Sequence, residues 1–325
     1  MKYFFCFLYC SIFSGICYAN TFTVSTDSYT YINNTNDSIF KIVSYNVENL
    51  FDTKHDSLYN DFSFLPTGIY RWTPYKYYNK IEQISRVIAN IGQWDYPALV
   101  ALCEIENKNC LQDLTRRLLH AQYSFIHFDC EDKRGIDVAL LYRPQVFQII
   151  DSVAIPTNLE DKSRDILYVS GITNSDDTLH IFVCHLPSMR GGKSTSDWKR
   201  TQVKRIIQTH IDHILNHNHH AHIIVMGDMN SEPTNDLKGL HNCMIQFNKN
   251  NQGTYKYKGI WSCLDQFYIS SSLLNKNTCY IYNPNWILQT DNKYLGKKPK
   301  RSLNGLRFDK NGYSDHLPII IDIVL

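Results

Sequence analysis

The chain has almost no excess of charge of either sign. Its 325 residues include 33 Lys and Arg against 31 Asp and Glu, which gives a formal net charge of +2. Affinity for nucleic acid or another polyanion would therefore have to come from local basic clusters and not from the overall charge. A hydrophobic share of 43% is ordinary for a globular protein with a large core. A single α/β domain of about 250–300 residues is expected.

The cysteines lack the spacings that hold a structural metal ion. Ten are present, but they form no CxxC pair and no Cys and His pattern typical of zinc ligands. Cys6, Cys10 and Cys17 lie in the N-terminal segment, and seven follow it. Because seven is odd, at least one thiol stays free. One disulfide is compatible with an oxidising compartment, and Cys243 and Cys279 are its candidates.

The apolar run at the N-terminus is short for a membrane span. It covers residues 3–18 and follows Lys2, while Cys17 and Ala19 supply the small residues that signal cleavage requires. We predict a signal peptide over residues 1–19 and export to the periplasm or the extracellular space. The alternative is a lipid anchor on Cys17, because the residues before it loosely resemble a lipobox.

The rest of the chain divides into a leader and one domain. Residues 20–38 are rich in Thr, Ser and Asn and poor in apolar residues, so we predict a disordered leader. Residues 39–325 form the predicted folded domain, in which no internal repeat occurs.

Short apolar runs with strand composition alternate with a few amphipathic segments in this domain. Closely spaced strands favour antiparallel hairpins, so we predict an α/β fold with two packed, mostly antiparallel β-sheets flanked by helices. Helices are predicted at 75–91, 110–120 and 197–215, the last with Asp197 as its N-cap. Strands are predicted at 40–47, 97–103, 123–128, 136–142, 146–155, 166–172, 179–184, 223–225, 261–269 and 317–325.

Polar side chains stand at or near the ends of many of these strands. In the stretch 222–233, HIIVMGDMNSEP, a buried β-branched run stops at Gly227, which permits a close backbone approach. Asp228 and Asn230 follow two residues apart, and a strand end places such groups rigidly. Each one alone is compatible with a simple turn, whereas the full set at separate strand ends indicates a site: Asn46, Glu104, His185, Asp228, Asn230, Asp265, Asp315 and His316.

Seven motifs resemble those of the endonuclease/exonuclease/phosphatase superfamily, in the order of that family. They are VSYNVENLFD (43–52), ALCEIEN (101–107), RGIDVALLYRP (134–144), VCHLPS (183–188), VMGDMNSEP (225–233), LDQFYIS (264–270) and YSDHLPIII (313–321). The family includes pancreatic-type deoxyribonucleases, abasic-site endonucleases, inositol polyphosphate phosphatases and bacterial sphingomyelinases. The resemblance implies a four-layer α/β sandwich and metal-dependent hydrolysis of phosphoesters.

Phosphodiester cleavage requires a cation near the phosphate, a group that activates water and donors for the phosphate oxygens. Glu104 is a natural ligand for Mg²⁺, with Mn²⁺ as a plausible substitute, since only hard oxygen ligands are proposed. The resemblance implies that Asn46 helps to position this ion and that Asp315 is a direct or indirect ligand.

The same resemblance implies the catalytic roles. Asp228 would deprotonate the attacking water, and Asn230 would orient this water and donate to the phosphate. His185 and His316 would contact the scissile phosphate from two sides, as hydrogen-bond donors or as general acid and base. A carboxylate usually fixes the tautomer of such a histidine. Asp265 matches the family partner of His316. For His185 we predict Asp137, although a bond from Asp137 to local backbone is an equal alternative.

The substrate is less well defined by the sequence. Arg134 and a basic loop after the HLPS motif, with Arg190, Lys193 and Arg200, are predicted to bind a polyanionic substrate, although solvated surface charge is the commoner explanation of such loops. We expect an endonuclease acting on DNA or RNA. A phosphatase or phospholipase C-type enzyme on inositol phosphates or sphingomyelin, or an inactive binding module, are the alternatives. No obligate protein partner is expected.

Overall fold

Two six-stranded mixed sheets form the centre of the molecule. The structure is a computed structural model, and it describes residues 39–93, 95–159, 163–188 and 193–325. The predicted signal peptide, the leader and Cys17 lie outside these ranges. In chain order the strands are β1 (Ile39–Leu50), β2 (Leu99–Ile105), β3 (Ser124–His127), β4 (Asp137–Tyr142), β5 (Phe147–Ile155), β6 (Ile166–Thr173), β7 (Thr178–His185), β8 (His222–Asp228), β9 (Leu240–Asn242), β10 (Tyr255–Tyr257), β11 (Ile260–Ser262), β12 (Asp265–Ser270), β13 (Asn277–Ile281), β14 (Leu288–Thr290), β15 (Lys297–Pro299), β16 (Leu303–Asn304), β17 (Arg307–Phe308) and β18 (Ile319–Val324).

Sheet 1 has the strand order β13-β18-β1-β2-β4-β3, and sheet 2 has the order β5-β6-β7-β8-β12-β9. Each sheet contains one parallel pair, β1 with β2 and β7 with β8, and the other neighbours within both sheets are antiparallel. The predicted mostly antiparallel sheets are confirmed. The pairs β10–β11, β14–β15 and β16–β17 form small separate hairpins.

The α-helices of the described residues are α1 (Pro74–Gly92), α2 (Lys108–Arg117), α3 (Lys193–His217) and the short α4 (Ile245–Lys249). Phe247 of α4 packs against the cluster between the sheets. The apolar faces of α1 and α2 pack on sheet 1, and that of α3 packs on sheet 2. The helix-to-sheet clusters and the cluster between the sheets give the four layers of an α/β sandwich. None of the helices in the described ranges has the length and apolar character needed to cross a membrane.

Alternate side chains of β8 pack into two different hydrophobic clusters. In β8, Ile223 and Val225 face the cluster under α3, while Ile224 and Met226 face the cluster between the sheets. Both sides of this strand are covered, so its sequence is a continuous apolar run.

Two local predictions are wrong. Helix α3 begins at Lys193, so Asp197 is not its N-cap and instead pairs with Arg200 inside the helix. The predicted strand at 261–269 is two strands, β11 and β12, which belong to different sheets. Apolar composition alone does not reveal that the chain changes sheets at Cys263 and Leu264.

The seven cysteines in the described part of the chain are free thiols. The disulfide for which Cys243 and Cys279 are candidates is therefore not formed in this structure, and burial, followed by the neighbouring Cys243, raises the pKa of the Cys279 thiol well above its usual value. Cys243 follows the edge strand β9 of sheet 2, and Cys279 lies in the edge strand β13 of sheet 1.

Gly227 allows β7 and β8 to approach each other just before Asp228. Its φ is +135°, and a Cβ atom built there would lie 1.9 Å from the carbonyl oxygen of Cys184. We expect Gly227→Ala to lower the free energy of unfolding by about 3 kcal/mol or more, since backbone strain and a backbone clash combine. Urea denaturation followed by circular dichroism measures this loss.

Gly305→Ala is the matched control for this substitution. Gly305 also has a positive φ, +59°, but its Cβ would meet nothing within 4 Å. The expected loss is about 1 kcal/mol, from backbone strain alone. Equal losses at both positions would show that the close approach at Gly227 is unimportant.

Candidate active site

Strand register brings three predicted residues together at one edge of sheet 2. Parallel pairing of β7 with β8 sets His185 beside Asp228. Antiparallel pairing of β8 with β12 sets Asp265 opposite Asp228 on the other side. A row of His, Asp and Asp therefore crosses three adjacent strand ends.

Sheet 1 supplies the residues that face this row. The Nδ2 atom of Asn46, on β1, donates to Asp228 Oδ2 at 3.0 Å and lies 3.5 Å from Glu104 Oε1. Glu104, on β2, also accepts a hydrogen bond from the backbone N–H of Asn49 at 2.7 Å. Asn46 thus connects the carboxylates of the two sheets.

The backbone around Glu104 is strained. Glu48, Asn49 and Glu104 have φ values of +56°, +52° and +68°, which non-glycine residues rarely adopt. They lie at an irregularity in the pairing of β1 with β2. Such strain persists only where the surroundings enforce it, and it concentrates at functional sites.

Asp228 is the centre of the site. Its Oδ2 atom lies 3.6 Å from His185 Nε2 and 3.9 Å from His316 Nε2. Its Oδ1 atom accepts from the backbone N–H of Asn230 at 2.9 Å, and the Asn230 side chain donates to the carbonyl of Leu186. The buried carboxylate of Asp228 therefore lies between two imidazole rings, with one oxygen oriented towards both.

The two histidines have opposite protonation preferences. Burial disfavours the charged form of His316, but Asp265 and Asp228 overcome this and raise its pKa well above the usual value. The His316 Nδ1 atom lies 2.7 Å from Asp265 Oδ2, as predicted for this pair. Burial, followed by the charges of Arg164 and Arg134, lowers the pKa of His185 well below its usual value. The surroundings therefore favour the charged form of His316 and the neutral form of His185.

Burial also disfavours the charged form of Asp228. Together with the nearby Asp265 it raises the pKa of Asp228 to about 6, although His316 acts in the opposite direction. The site therefore has a surplus of carboxylate, which a divalent cation would relieve. Glu104 remains 15% exposed and can be reached from solvent. Carboxylate and amide oxygens suit a hard ion such as Mg²⁺, so the residues present fit the predicted metal.

Asp315, which is predicted to be a direct or indirect metal ligand, forms an ion pair with Arg301. Its Oδ2 atom lies 3.0 Å from the guanidinium of Arg301, which also binds Glu48 at 2.8 Å. Glu48 is buried and accepts further hydrogen bonds from the backbone and hydroxyl of Ser302. The buried Lys80 of α1 lies 3.7 Å from the same carboxylate. This network fixes the loop that carries Asp315 and His316.

The predicted pairing of Asp137 with His185 is wrong. Asp137 begins β4 in sheet 1, and its carboxylate lies 3.1 Å from His127 Nε2 and accepts from the backbone N–H of Cys130 at 3.1 Å. The alternative of a bond to local backbone is the correct one. His185 Nδ1 is buried and has no hydrogen-bond partner among the described residues. His127, Asp129 and Asp137 are a second group whose ligand-type atoms lie within 4.8 Å of one another.

The predicted substrate-binding residues have different outcomes. Arg134 is close enough to His185 to lower its pKa, and its side chain is 40% exposed. Arg200 is buried and donates to the carbonyl of Pro187, so its assignment to a solvent-facing basic rim is wrong. Arg190 lies outside the described residues, as does the side chain of Lys193.

Arg164 is a site residue that the sequence did not reveal. Its guanidinium donates to the carbonyls of His185 and Leu186 at 3.0 and 3.1 Å and to Asp132 at 2.9 Å. It therefore fixes the backbone of the HLPS motif. No sequence signal marks this arginine, because its partners, two backbone carbonyls and Asp132, are more than 20 residues away in the sequence. Glu48, by contrast, stands inside the first motif and could have been singled out.

The sequence model of the Endonuclease/Exonuclease/phosphatase family matches residues 41–324. The chain belongs to this family of phosphoester hydrolases. No curated protein matches the sequence significantly.

Solved structures share the fold at low sequence identity. Truncated Caenorhabditis elegans TDP2 has a TM-score of 0.58 at 14% identity, over 88% of this chain and 98% of that chain. D. rerio TDP2, complexed with a single strand DNA product, has a TM-score of 0.54 at 18% identity, over 88% and 99%. A Bacteroides thetaiotaomicron mannosyl-6-phosphatase has a TM-score of 0.53 at 16% identity, over 88% and 100%.

Replacing Asp265 by Asn should lower the pKa of His316, because the charge partner at 2.7 Å is removed. NMR titration of the imidazole signals in EDTA measures this pKa. A histidine with a raised pKa stabilises the fold while it is protonated. The stability difference between the native chain and Asp265→Asn should therefore be largest below about pH 6.5 and shrink as the pH rises through the raised pKa.

Asp322→Asn is the control for this titration. Asp322 pairs with Lys41, so its loss should leave the His316 titration unchanged. A His316 pKa that is the same in Asp265→Asn and in the native chain would contradict the assigned pairing.

Proposed function

We propose that the chain is an exported, divalent-metal-dependent phosphodiesterase that hydrolyses DNA or RNA. The observation that carries this proposal is the position of the buried Asp228 carboxylate between His185 and His316, opposite Glu104. This arrangement places a base, two imidazoles and an ion-binding carboxylate around one small volume.

The residues divide the work of attack on a phosphodiester. Asp228 accepts a proton from the attacking water as the water oxygen bonds to phosphorus. Asn230 holds Asp228 in place through its backbone N–H. The His316 imidazolium donates to a phosphate oxygen and stabilises the charge that grows there. Neutral His185 contacts the phosphate from the other side. The bond to the leaving group breaks in line, and the leaving oxygen takes up a proton from solvent water.

Glu104 is the residue that would hold the metal ion, with Asn46 beside it and Asp315 further out. The ion, when bound, would supply Lewis-acid neutralisation of the phosphate charge. The surplus of carboxylates around Asp228 supports this assignment.

Two features support nucleic acid as the substrate. Arg134, next to His185, is partly exposed, so a polyanion can reach a cation at the site. In addition, a protein of the same fold, D. rerio TDP2, was crystallised with a single strand DNA product.

A phosphomonoesterase is the second candidate. The Arg301 guanidinium, whose side chain is 39% exposed, lies beside Asp315 and could bind a terminal phosphate dianion. A mannosyl-6-phosphatase shares the fold. Release of inorganic phosphate from monoesters, and none from diesters, would favour this candidate.

Export rests on the N-terminal sequence alone. Cell fractionation with N-terminal sequencing tests it, and a mature chain that begins at Asn20 is the expected result. A lipid-modified Cys17 would support the anchored alternative.

Asp228→Ala should lower kcat for single-stranded DNA or RNA by about 10²- to 10⁴-fold, because the base is lost. Rates are measured with fluorescently labelled oligonucleotides, and plasmid DNA, inositol phosphates and sphingomyelin complete the substrate panel. Asp322→Asn serves as the control and should keep full activity. Near-normal hydrolysis by Asp228→Ala would disprove the assigned mechanism.

EDTA should abolish hydrolysis, and added Mg²⁺ or Mn²⁺ should restore it. Glu104→Gln should weaken Mg²⁺ binding in isothermal titration calorimetry, because it removes the carboxylate charge without changing the side-chain shape. Asp129→Asn, in the second group of ligand-type residues, is the matched control. Unchanged binding in Glu104→Gln together with weakened binding in Asp129→Asn would place the ion at the group of His127, Asp129 and Asp137 and not at Glu104.

A further inference from the structure

The hairpin formed by β10 and β11 contacts His316, one of the two histidines of the proposed site, at its first residue. Tyr255 and His316 form an isolated antiparallel bridge, and their rings lie 5.0 Å apart at an angle of 36°. The backbone N–H of Leu317 donates to the carbonyl of Thr254 at 2.8 Å. The position of this hairpin relative to the site is therefore fixed.

One face of the hairpin packs against the protein. Lys256 and Trp261 are paired across the two strands and share this face. The ammonium group of Lys256 donates to the carbonyl of Leu295 at 2.7 Å, lies 3.4 Å from Asp291 and stands over the Trp261 ring. These contacts anchor the hairpin on the β14–β15 segment.

The opposite face is partly buried near His316 and exposed towards the hairpin turn. It carries Tyr255 and Ser262, then Tyr257 and Ile260, as cross-strand pairs. Tyr257 is 60% exposed and Ile260 71% exposed. Two residues apart on one strand, Tyr255 and Tyr257 are separated by about 6.6 to 7 Å along the chain. A short track of two aromatic rings therefore leads away from His316.

Two lysines lie near the turn end of this track. Lys258 at the hairpin turn lies over the Tyr257 ring at 5.3 Å, and Lys293 lies over Tyr294 at 5.2 Å. The turn adjoins Tyr294, because a Cβ atom on Gly259 would lie 3.0 Å from the Cβ of that residue. Lys258 and Lys293 are both exposed. Aromatic rings together with lysines are suited to a ligand that has flat bases and anionic phosphates.

We propose that the Tyr255 and Tyr257 face is a stacking subsite for the bases next to the scissile phosphate of single-stranded nucleic acid. The proposal rests on the proposed nuclease function. Contact between Tyr255 and His316 places the first ring next to the reacting phosphate, so the ligand group it meets must be bonded closely to that phosphate. A nucleoside meets this requirement. A paired base, whose faces are covered by its neighbours in a duplex, does not.

The test compares Tyr257→Ala with the native chain on three substrates. They are a single-stranded ten-nucleotide oligomer, its duplex, and an oligomer of equal length whose bases are replaced by abasic sites. For the single strand, Tyr257→Ala should raise KM by about 5- to 100-fold, since stacking on an aromatic side chain is lost. KM for the abasic oligomer should be the same in both proteins. Tyr257→Phe should restore the native KM, because the ring is retained.

Tyr75→Ala is the matched control, as Tyr75 is 64% exposed on α1. It should change no kinetic constant, and the melting temperatures of all variants should agree. If the native chain cleaves the single strand and Tyr257→Ala has an unchanged KM, the stacking subsite is refuted while the nuclease function stands.

Two further outcomes would also overturn the proposal. If the native chain hydrolyses bis(p-nitrophenyl) phosphate but none of the oligomers, both the nucleic-acid substrate and the subsite are wrong. If Tyr257→Ala loses binding to phosphatidylglycerol vesicles and keeps its KM for the single strand, the face is a lipid-docking surface.

Discussion

The hydrogen bond from Asn46 to Asp228 joins the two sheets at the proposed catalytic centre. It spans 182 positions of sequence and lies in a buried region, so it forms only when both sheets are packed. The residues around this hydrogen bond are also closely packed. Gly227 has no side chain to separate β7 from β8, and the pair of Asp265 and His316 lies on the other side of Asp228. The site is therefore a property of the interface between the sheets and not of either sheet alone.

Much of this could be predicted from the sequence, because strand ends are visible in it. An apolar run that stops at a polar residue predicts both the strand and the end of the strand at which the polar side chain lies, as for Asp228 and Glu104. Pairing is different. Asp137 stands at the start of a strand, but its partner is His127 on the neighbouring strand, and only the strand order of sheet 1 decides this. The predicted exposure of Arg200 is wrong for a similar reason, because the position of a basic residue on its helix determines whether the side chain is exposed.

Buried charge is the part of the site that composition and periodicity do not show. Lys80 lies on the buried and mainly apolar face of α1, and burial lowers its pKa, although Glu48 opposes this. Removing one partner of such a group costs more than the pair contributes, because the remaining charge is left without compensation. The network of Glu48, Lys80 and Arg301 therefore holds the loop before β18 rigidly. It also makes a substitution at any of these three positions destabilising.

The place of β18 has a consequence for the order in which the chain folds. This strand comes after all others in sequence, yet it lies between β1 and β13 in sheet 1. The preceding loop is tied to β1 by the hydrogen bond from Ser314 to the carbonyl of Asn46, 268 positions away. Such distant pairings form late, because the intervening chain must be ordered first. During synthesis on the ribosome, the histidine that completes the hydrolytic site therefore arrives last, and an unfinished chain is without it.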